Sequence, residues 1–154
     1  ALGLEALLHR SFDDTRRRQA REIAFRAAYQ SDVTGDSIER CLDEILEDLE
    51  EPADADIKGF ASSLVQTLAL HQPEIDAAVS RIAKNWSISR MAATDRSVIR
   101  LAAAELFYHA DVPVRVTLDE AIEIAKKYGM ETSGSFVNGI LDRLAHDARP
   151  PAAG

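Results

Sequence analysis

Apolar side chains recur every three to four positions along almost the whole chain, and no stretch shows the two-residue alternation of a half-buried strand. That period constrains the fold more than any other feature. It calls for amphipathic helices that bury one stripe each, and so for an all-α protein. Composition agrees where it bears on the point. Seven glycines and five prolines in 154 residues are too few for the many turns of an all-β fold. This length suits one domain with a core of its own. A single cysteine, Cys41, rules out an internal disulfide. No apolar run reaches membrane-spanning length and no leader pattern opens the chain, so a cytoplasmic protein is expected.

About seven helices are expected in one domain over 15–148, after an N-terminal extension (1–14, with Leu4, Leu7 and Leu8 spaced as one face of a short helix) and before a frayed tail (149–154). The first runs from Thr15 to Tyr29, with Asp13 or Asp14 as N-cap and Ile23, Ala24, Ala27 and Ala28 inward. The second spans Asp36 to Leu49 and has an acidic outer face. A third covers Asp54 to Leu70, and Pro73 is read as opening a fourth that ends near Asn85. A connector, Trp86 to Ala93, leads to a central helix from Thr94 to Tyr108, apolar on more than one face. Thr117 and Glu120 read as the capping box of the next helix, closed by Gly129. The last runs from Ser133 to Asp147, with Gly139 read as a close helix–helix contact.

Catalytic chemistry finds no anchor. There is no glycine-rich phosphate loop and no histidine pair at ligand spacing, so neither a metal, a cofactor nor an enzymatic activity is expected. His9, His71, His109 and His146 are scattered, and Cys41 sits on an apolar stripe as a small core residue.

Charge is more telling in its distribution than in its sum of −8. Five arginines lie between Arg16 and Arg26 against Glu22, whereas eleven acids lie between Asp32 and Asp56 against Arg40. Salt screens distant acids within about 8–10 Å, so a local basic patch keeps its affinity for phosphate. Arg16, Arg17, Arg18 and Arg21, crowding the expected first turns, oppose the helix dipole there. Guanidinium groups fork onto phosphate and stack on bases. Charge alone leaves two readings open, a nucleic-acid handle or a solvated basic face. Aromatic rings add to the first. Trp86 follows Lys84, Tyr128 follows Lys126 and Lys127, and Phe136 sits near Ser133 and Ser135. Single-stranded RNA is held by stacking on such rings beside positive charge. Each ring taken singly also fits core packing, Phe136 most of all.

The run Arg17–Ala24 with Ala27, Ala28 and Tyr29 resembles the opening helix of the NusB family of bacterial transcription antitermination factors. Asp95–Ala102 with Glu105 and Leu106 resembles the family's central helix. Asp111-Val112-Pro113, then Glu120–Lys126, then Phe136–Asp142, resemble its C-terminal part in the right order. The resemblance covers about Arg16 to Asp147. It implies one domain of two packed helical bundles that binds the boxA element of ribosomal RNA leader transcripts. It implies pairing with the ribosomal protein that doubles as NusE, in an antitermination complex on RNA polymerase, and it admits a homodimer.

Carried over by position, the resemblance implies RNA contact by Arg16, Arg17, Arg18, Arg21, Lys84, Trp86, Arg100, Tyr128 and Phe136, and partner contact by Asp95 and Tyr29. The chain departs from the family in the extension before the arginines, in a shorter connector after Trp86 and in Gln19, which interrupts the basic run. Two other functions compete. One is a protein–protein adaptor whose arginines serve an interface. The other is the RNA-binding domain of an rRNA methyltransferase, which the absence of a glycine-rich βαβ unit disfavours.

Overall fold

The computed structural model describes residues 4–148, with side chains for residues 14–147. The expectations for the side chains of Leu4, Leu7 and Leu8 and for the tail 149–154 fall outside the described residues. Among those described are six α-helices and one 3₁₀ turn: α1 (Leu4–Thr34), α2 (Ile38–Asp48), α3 (Ala55–Ile82), the turn Ile88–Arg90, α4 (Ala93–Tyr108), α5 (Val114–Tyr128) and α6 (Ser133–Ala148).

α1 is twice as long as its apolar stripe suggests. Leu4 to Thr34 contains neither glycine nor proline, so the helix runs through Asp13 and Asp14 and does not start there. The arginines therefore sit mid-helix, and the expected conflict with the helix dipole is absent. Gly35 ends the helix. It has φ +82°, the left-handed conformation that glycine adopts without penalty, and its N–H returns to the Ser31 carbonyl at 2.8 Å. Ser37 then caps α2, its hydroxyl accepting from the Arg40 N–H.

α3 replaces two expected helices. Asp54 caps it by accepting from the Ile57 N–H at 2.9 Å, and the helix continues through Pro73. Proline there removes a bond to the Ala69 carbonyl and crowds the turn, at a cost of about 3 kcal/mol. Burial of Ile75 and Val79 beyond it, each worth about 1.5–3 kcal/mol, offsets that cost.

α4 is the central helix. Ser97–Ile99 and Leu101–Leu106 are all buried, and the helix packs against α1, α3, α5 and α6. The three earlier helices form one bundle and α4–α6 the other, and one continuous apolar core joins them. Alanines at 24, 27, 103 and 104 have almost no exposed surface, which lets the backbones approach closely. Cys41 lies in this core, where burial, assisted by the charges of Asp36 and Glu44, raises its thiol above the usual range.

Two turn readings change. α5 begins at Val114 behind Pro113, so Thr117 is a buried residue at the end of the first turn and no capping box forms there. Gly139 is exposed, with open space where a Cβ would stand, and makes no close helix contact. The close approaches are at Gly129, whose Cβ would fall 2.5 Å from Ser133 Oγ and 2.7 Å from the Ala125 carbonyl, and at Gly134 against Lys126. Gly139→Ala is accordingly expected to raise stability by about 0.5–1 kcal/mol through helix propensity, whereas Gly129→Ala lowers it. Urea midpoints of the two variants check this contrast.

Candidate nucleic-acid interface

The arginine run splits by helical geometry. Arg17 and Arg21, one turn apart, lay their guanidinium groups over the Phe60 ring at 4.8 and 5.1 Å from its centre. Arg21 goes inward. Its Nε and Nη2 donate to the two carboxylate oxygens of Glu105 at 2.8 and 2.9 Å, and Thr117 Oγ1 donates to the same carboxylate. Arg21 is 6% exposed and Glu105 2%. The resemblance implied RNA contact for Arg21, but its guanidinium is committed to a buried bidentate pair and does not reach the surface.

The other three stay outside. Arg16 pairs with Asp54 at 3.2 Å and Asp56 at 3.5 Å, and Arg17 meets Asp111 at 4.0 Å. Arg18 donates twice to Glu120, at 2.9 Å each. The counter-charges thus come from the start of α3, the α4–α5 connector and α5, not from the acidic face of α2. Arg16, Arg17, Asp56, Gly59, Phe60 and Ser63 line an open groove of about 670 Å³.

A second group continues from the first. Glu22, one turn after Arg18, accepts from Lys127 Nζ at 2.6 Å and from the Tyr128 hydroxyl. Burial pushes the Glu22 carboxyl up, but these two donors, with the charges of Lys127 and Arg26, hold it below its usual value. Burial and then Glu22 raise the Tyr128 hydroxyl, so the phenol keeps its proton. Tyr128 packs on Phe25 with ring centres 5.0 Å apart. The neighbouring Lys126 lies beside Gly134 at the start of α6. Two residues on, Phe136 is half-buried against the core and meets the exposed Trp86 edge-on, with centres 6.4 Å apart. Lys84 is exposed two residues before Trp86. Arg18 with Glu120, Glu22 with Lys127 and Tyr128, and Lys126 beside Gly134 thus follow one another along α1, α5 and the start of α6, which carries Phe136.

Arg100 stands apart from this surface. Its Nε and Nη2 donate to the carboxylate of Asp76 at 2.9 Å and its Nη1 to Asp32 at 3.2 Å. Arg96 also holds Asp32, and donates to the carbonyls of Ile88 and Met91 at 2.9 and 2.8 Å. Together they tie the end of α1, α3, the 3₁₀ turn and α4. Arg100 was expected to contact RNA, yet all its bonds go to two carboxylates within the fold.

Tyr29 borders a groove that adjoins this seam at Tyr128, and Asp95 lies next to it in sequence after Thr94. Tyr29 is 40% exposed and, with Phe25, Val33, Ile45, Thr94 and Tyr128, lines a mainly apolar groove of about 500 Å³. Asp95 follows Thr94 in the first turn of α4, and its buried Oδ1 has no hydrogen-bond partner among the described residues. The carboxylates that hold these cations, among them Glu22, Glu105, Glu120, Asp32 and Asp76, are participants that sequence reasoning missed. Arg18 and Glu120 are 102 positions apart, and no local pattern couples them. Among the described residues no group of histidine, cysteine and acidic side chains could hold a metal. No helix among them is long and apolar enough to cross a membrane.

Fold and surface together define an all-helical scaffold that presents a basic and aromatic seam beside an apolar groove. The chain belongs to the NusB family, whose model matches residues 18–146. It is 44% identical over 137 residues to the transcription antitermination protein NusB of Pseudothermotoga lettingae, covering 88% of this chain and 95% of that one. The protein of the same name from Anaeromyxobacter dehalogenans is also 44% identical, over 90% of this chain and 95% of its own. Among solved structures, T. maritima NusB superposes with a TM-score of 0.81 at 42% identity, over 87% of this chain and 93% of that one. A chain from a crystal structure of the antitermination factors NusB and NusE in complex with double-stranded RNA superposes at 0.78 with 32% identity, over 86% of this chain and 98% of its own.

Proposed function

We propose that this chain is a cytoplasmic, non-enzymatic transcription antitermination factor that binds the boxA element of ribosomal RNA leader transcripts and pairs with NusE. The pair joins an antitermination complex on RNA polymerase and favours read-through of terminators. The observation that carries this reading is the seam of Arg16, Arg17, Arg18, Tyr128 and Phe136, with Lys84 and Trp86 at its far end. Exposed cations lie beside exposed or half-buried rings, the combination that holds a phosphate backbone and stacks bases. Tyr29 and Asp95 belong to a partner face in this reading, because the Tyr29 groove is apolar and open and Asp95 follows Thr94, which lines it.

The test is fluorescence anisotropy of a labelled boxA-containing RNA over a salt series, with and without NusE. Binding that prefers boxA to a scrambled RNA, tightens with NusE and weakens with salt is expected. Arg17→Ala combined with Arg18→Ala weakens binding and flattens the log–log salt dependence by about 0.7 per lost phosphate contact. An unchanged slope removes these arginines from the RNA surface. One observation favours the adaptor reading instead: Arg16, Arg17 and Arg18 are each paired with a carboxylate of the chain itself. NusE binding without any RNA affinity would decide for that alternative.

A further inference from the structure

The ion pairs along the α1–α5 seam share one asymmetry. The cations stand outside, with the Arg18 and Lys127 side chains 63% and 62% exposed. The carboxylates stand inside, with Glu120 at 13% and Glu22 at 27%. Arg18 and Glu22 are one turn apart on α1, and Glu120 and Lys127 two turns apart on α5, so the two pairs bridge the helices in opposite senses. α1 and α5 otherwise meet little, each packing chiefly through α4 and its own neighbours. An exposed ion pair contributes little to folding, because water and salt screen it. The seam is therefore a weak brace and a well-placed set of donors.

We infer that Glu120 and Glu22 are internal competitors for RNA phosphate, which set how tightly the seam binds a polyanion. The inference rests on the RNA-binding reading above. A phosphate oxygen and a carboxylate oxygen are acceptors for the same N–H groups. Glu120 occupies two donors of Arg18, and Glu22 occupies Lys127 and the Tyr128 hydroxyl. An arriving RNA has to take these donors from carboxylates that remain in place. The long cationic side chains can swing outward to it, because their outer surfaces already face solvent. The carboxylate left behind then recruits a cation, which cancels part of the counterion release that drives binding. A ligand that offers one or two phosphates gains little by the exchange. A strand that engages the whole seam gains at every step.

The experiment uses the full chain with Glu120→Gln, Glu22→Gln and both together, each isosteric and uncharged. Labelled boxA-containing RNA is titrated over a salt series, with thermal unfolding measured in parallel. Each single change is expected to tighten binding about two- to fivefold, the range that matches loss of one exposed pair, and to steepen the salt slope by up to about 0.7 per freed cation. Adding Arg18→Ala to Glu120→Gln abolishes the gain from Glu120→Gln. A folded variant whose affinity and slope equal those of the parent overturns the inference, and so does one that binds more weakly. Should Glu120→Gln unfold the chain, Glu22→Gln decides by the same criteria. Unshifted variants of a parent that binds RNA sink the competitor role alone. Absence of binding in the parent and in every variant sinks the RNA reading with it.

Discussion

Arg21→Ala is expected to cost the fold about 3–5 kcal/mol, the range for removing one partner of a buried ion pair. The loss arises less from the missing attraction than from what remains. Glu105, at 2% exposure, would lose both guanidinium donors that now meet its two oxygens. A urea titration would show a lower midpoint with an unchanged slope. Arg21→Met with Glu105→Leu and Thr117→Val separates the causes. This triple variant leaves no buried charge and keeps comparable volume, so it recovers most of the loss. If Arg21→Ala were instead as stable as the parent and bound RNA less tightly, Arg21 would belong to the binding surface.

Asp32→Ala is expected to cost about 2 kcal/mol, less than a fully buried pair because the side chains of Asp32, Arg96 and Arg100 each retain some exposure. Arg96 keeps its two backbone carbonyls and Arg100 keeps Asp76, so neither is orphaned. The same carboxylate gives a pH dependence. Burial alone would raise the Asp32 carboxyl, but the hydrogen bonds and charges of Arg96 and Arg100 hold it below its usual value. A carboxyl lowered in the folded state contributes its stability above its unfolded pKa, about 3.9, and loses it as the pH falls from there towards the folded value. Stability measured from pH 6 to pH 2 should fall less steeply below about pH 4 in Asp32→Ala than in the parent. Equal slopes would take Asp32 out of the acid response.

The helical class, the central position of α4 and most of the buried stripes were legible in the residues, because a 3.6-residue period is a local property. Ile23, Ala24, Ala27, Ala28, Leu101 and Leu106 are buried as their spacing requires. Helix ends were less legible. Asp13, Asp14 and Thr117 are of types that cap helices, and none of them stands at a helix start here, because capping competes with continued helix and tertiary burial decides between them. Pro73 misled for the same reason. Its cost of about 3 kcal/mol to a continuous helix is offset here by packing that only the tertiary structure supplies, the full burial of Ile75 and Val79.

For the candidate site, the residues themselves determined the inventory: a basic run in α1 and rings beside lysines in the connector and in α5. The resemblance extended this to Arg100, Tyr29 and Asp95. Which of these side chains reach solvent was decided by the tertiary structure alone. Arg17, Arg18 and Arg21 are near neighbours in one helix, yet Arg21 finds Glu105 inside the core, Arg18 finds Glu120 at the rim and Arg17 lies across Phe60. Arg100 is likewise drawn to Asp32 and Asp76. These partners lie 24 to 102 positions away in the sequence. Helical periodicity tells which face of α1 a residue occupies, but the charge that waits across from that face is set by how α3, α4 and α5 pack around it.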